Sequence, residues 1–144
     1  MMSISSQIGR VSGLYLKDVA GKGRGVFCRE SLKAGVEIEF CPVIVFNEVD
    51  AEFIDKTVLY NYYFSTKFLS QETAASFNIQ DKEKAGIIAF GILSLCNHSE
   101  NPNARIEKIV EDGNIWFSLC ALREISPNEE ILISYGAVWF DALS

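Results

Sequence analysis

Short apolar segments broken by glycine are the feature that most restricts how this chain can fold. Three of them precede residue 47: GLYLKD, GVFCRE and VEIEFCPVIVF. They are rich in β-branched and aromatic residues, which favour strands. Gly21, Gly23, Gly25 and Gly35 stand where turns between the strands are needed. The pattern predicts a mainly β fold with some helix (β+α).

The middle of the chain departs from this pattern. The segment NEVDAEFIDKTVLYNYYF has partly helical apolar spacing, and polar residues follow from Ser65 to Asp81. This predicts a short helix within an irregular insert over about 47–80. The next apolar run, IIAFGILSLCN, is compatible with a buried strand or a buried helical turn, and its periodicity does not decide between them.

The last third of the chain carries turn signals. ARIEKIV and IWFSLCAL flank EDGN, whose Asp-Gly and Gly-Asn steps favour a hairpin turn. SPNEE predicts a turn with Pro127 at its second position, followed by the strand ILISYG. No repeat or linker is visible, so the 144 residues predict a single domain with its core at about 13–139.

Charge and cysteine usage limit the partners and the compartment. The formal charge is −6 and the isoelectric point is about 4.8. Direct nucleic-acid binding is therefore not expected, and a lysine-bearing protein or peptide suits the surface better. The four cysteines form no Cys-x-x-Cys pair and are expected to be buried free thiols. No apolar run is long enough for a membrane span and the N-terminus resembles no signal peptide, so an intracellular location is expected.

Three motifs carry the chemistry: GKGRGVF at 21–27, LCNHSENPN at 95–103 and EEILISYG at 129–136. In this order and spacing they resemble the SET-domain family of protein lysine methyltransferases. There the first motif is a glycine-punctuated loop beside the cofactor, the second pairs Asn-His with Pro-Asn, and the third ends in a catalytic tyrosine. The resemblance implies a SET-domain fold of several short β-sheets with a knot-like C-terminal crossing.

The resemblance also implies a protein-lysine N-methyltransferase that uses S-adenosyl-L-methionine as methyl donor. The residues that it assigns to cofactor binding are Lys22, Gly23, Arg24, Tyr62, Asn97, His98, Tyr135 and Trp139. The cations and glycine backbone suit a carboxylate, and the Asn97 side-chain carbonyl suits an ammonium. The backbone of His98 and the ring of Trp139 are expected at the adenine. Tyr60 and Tyr63 lie so close to Tyr62 in sequence that the tyrosine assignment stays open.

Tyr135 is the expected catalytic residue. Its hydroxyl would orient the lysine amine or stabilise the reacting methyl group, rather than act as a general base, because an ordinary phenol has a pKa near 10. Ile133 stands where family members often have an aromatic residue that influences how many methyl groups are added, so the degree of methylation stays open.

Departures from the family concern the ends of the domain and the substrate. The cysteine-rich zinc segments found around many of these domains are not seen in the sequence, so zinc is not expected. The lysine channel would then be closed by Trp139 and Phe140 or by a second subunit. Whether the protein forms a homodimer is therefore left open. The insert at 47–80 is where the family reads its peptide, and a histone is the leading substrate by analogy. A nuclear or cytoplasmic location, or delivery into a host cell, are all compatible.

Three alternatives are kept. The chain can be a non-catalytic SET-like module that binds peptides or regulates a partner. A metalloprotein built on Cys41, Cys96, His98 and Cys120 lacks regular ligand spacing. A Cys96–His98 hydrolase has no third residue to orient the pair.

Overall fold

The computed structural model describes residues 8–134, and strands dominate this part of the chain. The strands are β1 Gly9–Arg10, β2 Leu14–Val19, β3 Gly23–Cys28, β4 Glu37–Phe46, β5 Phe64–Ser65, β6 Gly86–Ala89, β7 Asn97–His98, β8 Ala104–Glu111, β9 Asn114–Ala121 and β10 Glu130–Ile133. The helices are α1 Glu48–Ile54, α2 Gln71–Ser76 and two short 3-10 helices, Val58–Asn61 and Ile92–Leu95. The mainly β prediction is confirmed.

The larger sheet is organised around β4, which is long enough to have different neighbours along its length. Its strands follow the order β5-β6-β4-β9-β8, and β1 also pairs with β4. The first half of β4 pairs with β9, and the second half pairs with β6. The sheet therefore joins the insert, through β5 and β6, to the C-terminal hairpin.

The β8–β9 hairpin has the turn that the sequence predicts. Asp112 and Gly113 both have positive φ, at 51° and 79°, as the two central residues of a type I′ turn require. The strands pair in register from Ala104 with Ala121 to Glu111 with Asn114. The second predicted turn is also present, since the Glu129 N–H donates to the Ser126 carbonyl across Pro127 at 3.1 Å.

The smaller sheet brings distant motifs together. Its order is β2-β3-β10-β7, with β10 antiparallel to β3 and parallel to β7. The motif at 21–27 thus pairs with the motif at 129–136, which in turn pairs with the motif at 95–103. This arrangement brings all three motifs into one sheet.

Asn103 fastens the second motif to the third. Its side chain is buried, with Oδ1 accepting from the Leu132 N–H at 2.8 Å and Nδ2 donating to the Glu130 carbonyl at 2.8 Å. The Ser99 N–H also donates to the Ile133 carbonyl at 2.9 Å. The expected knot-like crossing also involves residues after Ser134, which lie outside the described residues, so it stays a prediction.

Two sequence predictions are corrected or refined here. Gly25 lies inside β3 opposite Lys17 and supplies no turn, whereas Gly21 and Gly35 have positive φ at turns. The ambiguous run at 87–97 contains both alternatives, since strand β6 is followed by a 3-10 helix and then by β7. A run of uniformly apolar residues cannot reveal this change of conformation, because periodicity is its only local signal.

A single cluster of buried apolar side chains lies under both sheets and includes Val26, Ile87, Leu93, Phe117 and Ile131. Leu93 belongs to the second 3-10 helix, so the core holds this turn directly. No helix among residues 8–134 is both long and apolar enough to cross a membrane.

Candidate active site

A cavity of about 450 Å³ lies where the first and second motifs meet the insert. Its described lining is Lys22, Gly23, Arg24, Asn61, Tyr62, Ser94, Leu95, Cys96 and Asn97. Five of the predicted cofactor residues are therefore brought together, from segments up to 75 positions apart in sequence. The volume falls within the range of about 300–1,000 Å³ that is usual for small-molecule sites.

The β2–β3 turn supplies the positive charge of the cavity. Gly23 has a φ of 84°, a conformation that glycine adopts at little cost, and it opens β3 between the exposed Lys22 and Arg24. Neither cation forms an ion pair within residues 8–134. Both heads are therefore available to an anionic group in the cavity.

Asn97 is oriented by a carboxylate of the third motif. Its Nδ2 donates to Glu130 Oε2 at 2.7 Å. With the amide N–H group committed, Oδ1 is left as an acceptor at the cavity wall. The side chain can thus accept a hydrogen bond from a cationic ligand group, as the sequence predicts.

Gly25 makes room for this carboxylate. A Cβ at position 25 would lie 2.4 Å from Glu130 Oε2, which is shorter than any real contact. Glu130 lies on β10, between β3 and β7, and its carboxylate has room beside Asn97 because residue 25 of β3 has no side chain. The third glycine of the motif is therefore a packing requirement within β3.

Tyr62 is the tyrosine of its segment that lines the cavity. It follows the 3-10 helix Val58–Asn61 directly and is partly exposed. Tyr63 instead stacks edge-on against Phe46 and donates its hydroxyl to Asp55 at 2.6 Å. Burial, with a smaller contribution from Asp55, raises the pKa of Tyr63 to about 12. The structure thus distinguishes tyrosines that the sequence could not.

The remaining predicted residues are placed differently. His98 is exposed on β7 opposite Ile133, and the described cavity lining does not include it. Tyr135 and Trp139 lie outside the described residues, one and five positions after Ser134. The roles of all three stay predictions.

A second, more apolar cleft of about 490 Å³ adjoins the cavity. The two share Arg24, Tyr62, Ser94 and Leu95. The second is completed by residues of the insert, of β6 and of the segment that follows β6, namely Val58, Leu59, Ile88, Ala89, Phe90 and Gly91. Sequence reasoning missed these residues as part of a site, because exposed apolar residues such as Val58 and Phe90 belong to no recognisable motif. A polar cavity next to an apolar cleft suits two reactants that meet at a shared wall.

The thiols near the cavity are held in the protonated form. Burial, with a smaller contribution from Glu39, raises the pKa of Cys41 to about 12 and also raises the pKa of Cys96 well above its ordinary value. A thiol is a weak nucleophile compared with its thiolate, so the arrangement does not favour a Cys96–His98 hydrolase. Residues 8–134 contain no group of three or more His, Cys, Asp or Glu placed to hold a metal ion.

Comparison with known proteins identifies the family. A family model described as the SET domain matches residues 23–136. A Schizosaccharomyces pombe protein named histone-lysine N-methyltransferase, H3 lysine-37 specific, is 35% identical over 132 residues, which are 90% of this chain and 78% of that protein.

Comparison with solved structures gives the same fold. A Plasmodium falciparum candidate histone methyltransferase is 25% identical, with a TM-score of 0.61 over 90% of this chain and 98% of its own. The Neurospora SET-domain protein DIM-5, a histone lysine methyltransferase, has a TM-score of 0.65 at 17% identity, over 89% of this chain and 54% of its own, and supports the fold alone. The resemblance stated from three motifs is confirmed: the chain belongs to the SET-domain family.

Proposed function

We propose that this protein transfers a methyl group from S-adenosyl-L-methionine to a lysine side chain of a histone. The observation that carries the proposal is the cavity in which Lys22, Arg24, Tyr62 and Asn97 converge from the first motif, the insert and the second motif. Membership of the SET-domain family gives the enzyme class, and the residues present give the reason why the cofactor fits.

The cavity has a donor set that matches the amino-acid end of the cofactor. Lys22 and Arg24 suit the carboxylate, because charge-assisted hydrogen bonds are stronger than neutral ones. The Asn97 carbonyl oxygen suits the ammonium. We assign the backbone of His98 to the adenine edge and the ring of Trp139 to its face. Bound S-adenosyl-L-methionine supplies a methyl group activated by a sulfonium.

The apolar cleft is assigned to the substrate lysine. A lysine in water has a pKa near 10.4 and is protonated, so it cannot attack. Walls such as Leu59, Phe90 and Leu95 disfavour the charged amine and lower its pKa. Holding the neutral amine in line with the methyl group can supply about 7–11 kcal/mol of barrier reduction. The protein then needs no strong base.

Tyr135 is assigned the catalytic role. It follows Ser134, and β10 ends next to β7, which carries Asn97. A phenolic hydroxyl can accept a hydrogen bond from the amine and keep the amine lone pair directed at the methyl group.

The insert at 47–80 is assigned to substrate reading within one domain of residues 1–144. Val49 and Phe53 are exposed on α1, and Phe53 is 65% accessible. Asp50 and Glu52 are exposed beside them. Such a surface complements a basic segment with some apolar character, which is the chemistry of a histone tail. A histone substrate places the enzyme in the nucleus.

The test is methyl transfer from labelled S-adenosyl-L-methionine to a panel of histones, with the product located by mass spectrometry. The panel includes histone H3 with and without lysine-37, the position named for the Schizosaccharomyces relative. The Tyr135→Phe variant removes one hydroxyl, and Tyr60→Phe is its matched control because Tyr60 is outside the cavity lining.

Label on a histone lysine that is lost in Tyr135→Phe and kept in Tyr60→Phe supports the proposal. Cofactor binding without label on any histone favours the alternative, a SET-like module that binds peptides. Label that persists in Tyr135→Phe removes that residue from the catalytic role.

A further inference from the structure

Glu39 is a buried carboxylate that the motifs do not include. It lies on β4, is only 3% accessible, and is not among the residues that line the cavity. Buried acids are rare unless their oxygens have partners, because loss of hydration is costly. The partners of Glu39 therefore indicate its role.

Both carboxylate oxygens accept from the first two amides of the second 3-10 helix. The Leu93 N–H donates to Oε1 at 2.8 Å, and the Ile92 N–H donates to Oε2 at 2.9 Å. This helix has Gly91 at its N-cap position and therefore no side-chain cap of its own. Glu39 replaces the missing cap from another strand, 53 positions away.

Gly91 is the residue that lets the carboxylate approach. A Cβ at position 91 would lie 2.6 Å from Glu39 Oε1 and 2.8 Å from its carboxyl carbon. Arg10 of β1 reaches the same carboxylate from the outside, 3.4 Å from Oε2. Glu39 is thus clamped between the N-terminal strand and the turn at 91–93.

This turn leads directly into the cavity wall. Ser94, Leu95, Cys96 and Asn97 line the cavity and follow the two capped amides without interruption. Asn97 is held from the other side by Glu130. The wall is therefore fixed at its start by Glu39 and at its end by Glu130.

We propose that Glu39 is the positioning residue for the cofactor wall at 94–97, acting through the backbone amides of Ile92 and Leu93. The inference rests on the proposed use of S-adenosyl-L-methionine at this cavity. Without the carboxylate, the two amides lose their acceptor, the 3-10 turn loosens, and Asn97 no longer meets the ligand at a fixed place.

The test compares Glu39→Gln with Ile115→Ala. Glutamine keeps the shape but offers one acceptor oxygen and an NH₂ group that opposes an N–H donor. Ile115 is buried at the turn end of the β8–β9 hairpin, so its truncation lowers stability through lost packing without touching the cavity. Cofactor affinity is measured by calorimetry at a temperature at which both variants are folded.

Glu39→Gln is expected to bind S-adenosyl-L-methionine about tenfold more weakly or worse, since one lost charged hydrogen bond corresponds to at least that factor. Ile115→Ala is expected to bind like the wild type. Equal affinity of Glu39→Gln and wild type, or an equal loss in both variants, overturns the proposal.

Hydrogen exchange of the cofactor-free protein separates this inference from the proposed function. A selective rise in amide exchange over residues 91–97 in Glu39→Gln supports the positioning role, and unchanged exchange there overturns it. If the wild type itself fails to bind the cofactor, the proposed function is refuted, and the exchange result still decides the role of Glu39.

Discussion

Lys108 should make the stability of this protein rise with pH in a way that one substitution removes. The residue lies on β8, is 5% accessible, and holds its Nζ 4.8 Å from the centre of the Phe68 ring. Burial lowers the pKa of its ammonium from 10.5 to about 7. The charged form is therefore disfavoured in the folded state.

The size of the effect follows from the difference between the two pKa values. One pKa unit corresponds to about 1.36 kcal/mol, so the charged lysine costs about 5 kcal/mol of stability well below pH 7. Between pH 7 and 10.5 the unfolded state binds more protons than the folded state, and stability rises with pH. The cost falls to about 4 kcal/mol at pH 7 and about 2 kcal/mol at pH 9.

The assay is urea unfolding of the wild type and Lys108→Met at pH 6, 7, 8 and 9, followed by circular dichroism. Methionine fills similar space without a charge, so the variant should be more stable at pH 7, and its advantage should shrink by about 2 kcal/mol by pH 9. Lys84→Met is the matched control because Lys84 is exposed. A constant separation between the wild type and Lys108→Met from pH 6 to 9 would refute the reasoning.

Three further outcomes are expected. Gly25→Ala should weaken S-adenosyl-L-methionine binding by about tenfold in calorimetry, because the new methyl group displaces Glu130 from Asn97; unchanged affinity would contradict this. Asn103→Ala should lower the free energy of unfolding in urea by about 2–4 kcal/mol, since it leaves a buried N–H and a carbonyl without partners, whereas the exposed Asn101→Ala variant should match the wild type. The Cys96 thiol should resist iodoacetamide at pH 7.5 in the folded protein and react in urea, as peptide mass spectrometry can show, because burial raises its pKa; rapid labelling of folded protein would argue against it.

The local parts of the fold could be predicted from the sequence because their signals are local. The hairpin at Asp112-Gly113 has a turn that needs positive φ at both central residues, and this dipeptide is one of the few that favour it. The glycine motif at 21–27 and the Asn-His motif also indicated residues of the cavity, because the chemistry of a ligand restricts the residue types that can bind it.

The parts that escaped prediction depend on distant pairs. Nothing near Glu39 in the sequence shows that its partners are the amides of Ile92 and Leu93. Lys108 occupies an inward-facing position in the alternating pattern of β8. From the sequence alone, a charged residue predicts that this position faces solvent. It is buried there because Phe68, from the insert, covers it. The burial of Glu39 and of Lys108 is decided by tertiary contacts, which the local spacing of residues does not indicate.

The pairing of β10 with β3 and β7 has a consequence for biosynthesis. Glu130 lies opposite Phe27, about a hundred positions earlier, so the smaller sheet closes a long stretch of chain. Contacts of this range form slowly, and a nascent chain emerges from its N-terminus. The wall at 94–97 can be made by the ribosome well before the strand that anchors it. An unfinished polypeptide therefore lacks the anchor of this cavity wall, and we expect the cavity to assemble only after residues 130–133 have left the exit tunnel and paired with β3 and β7.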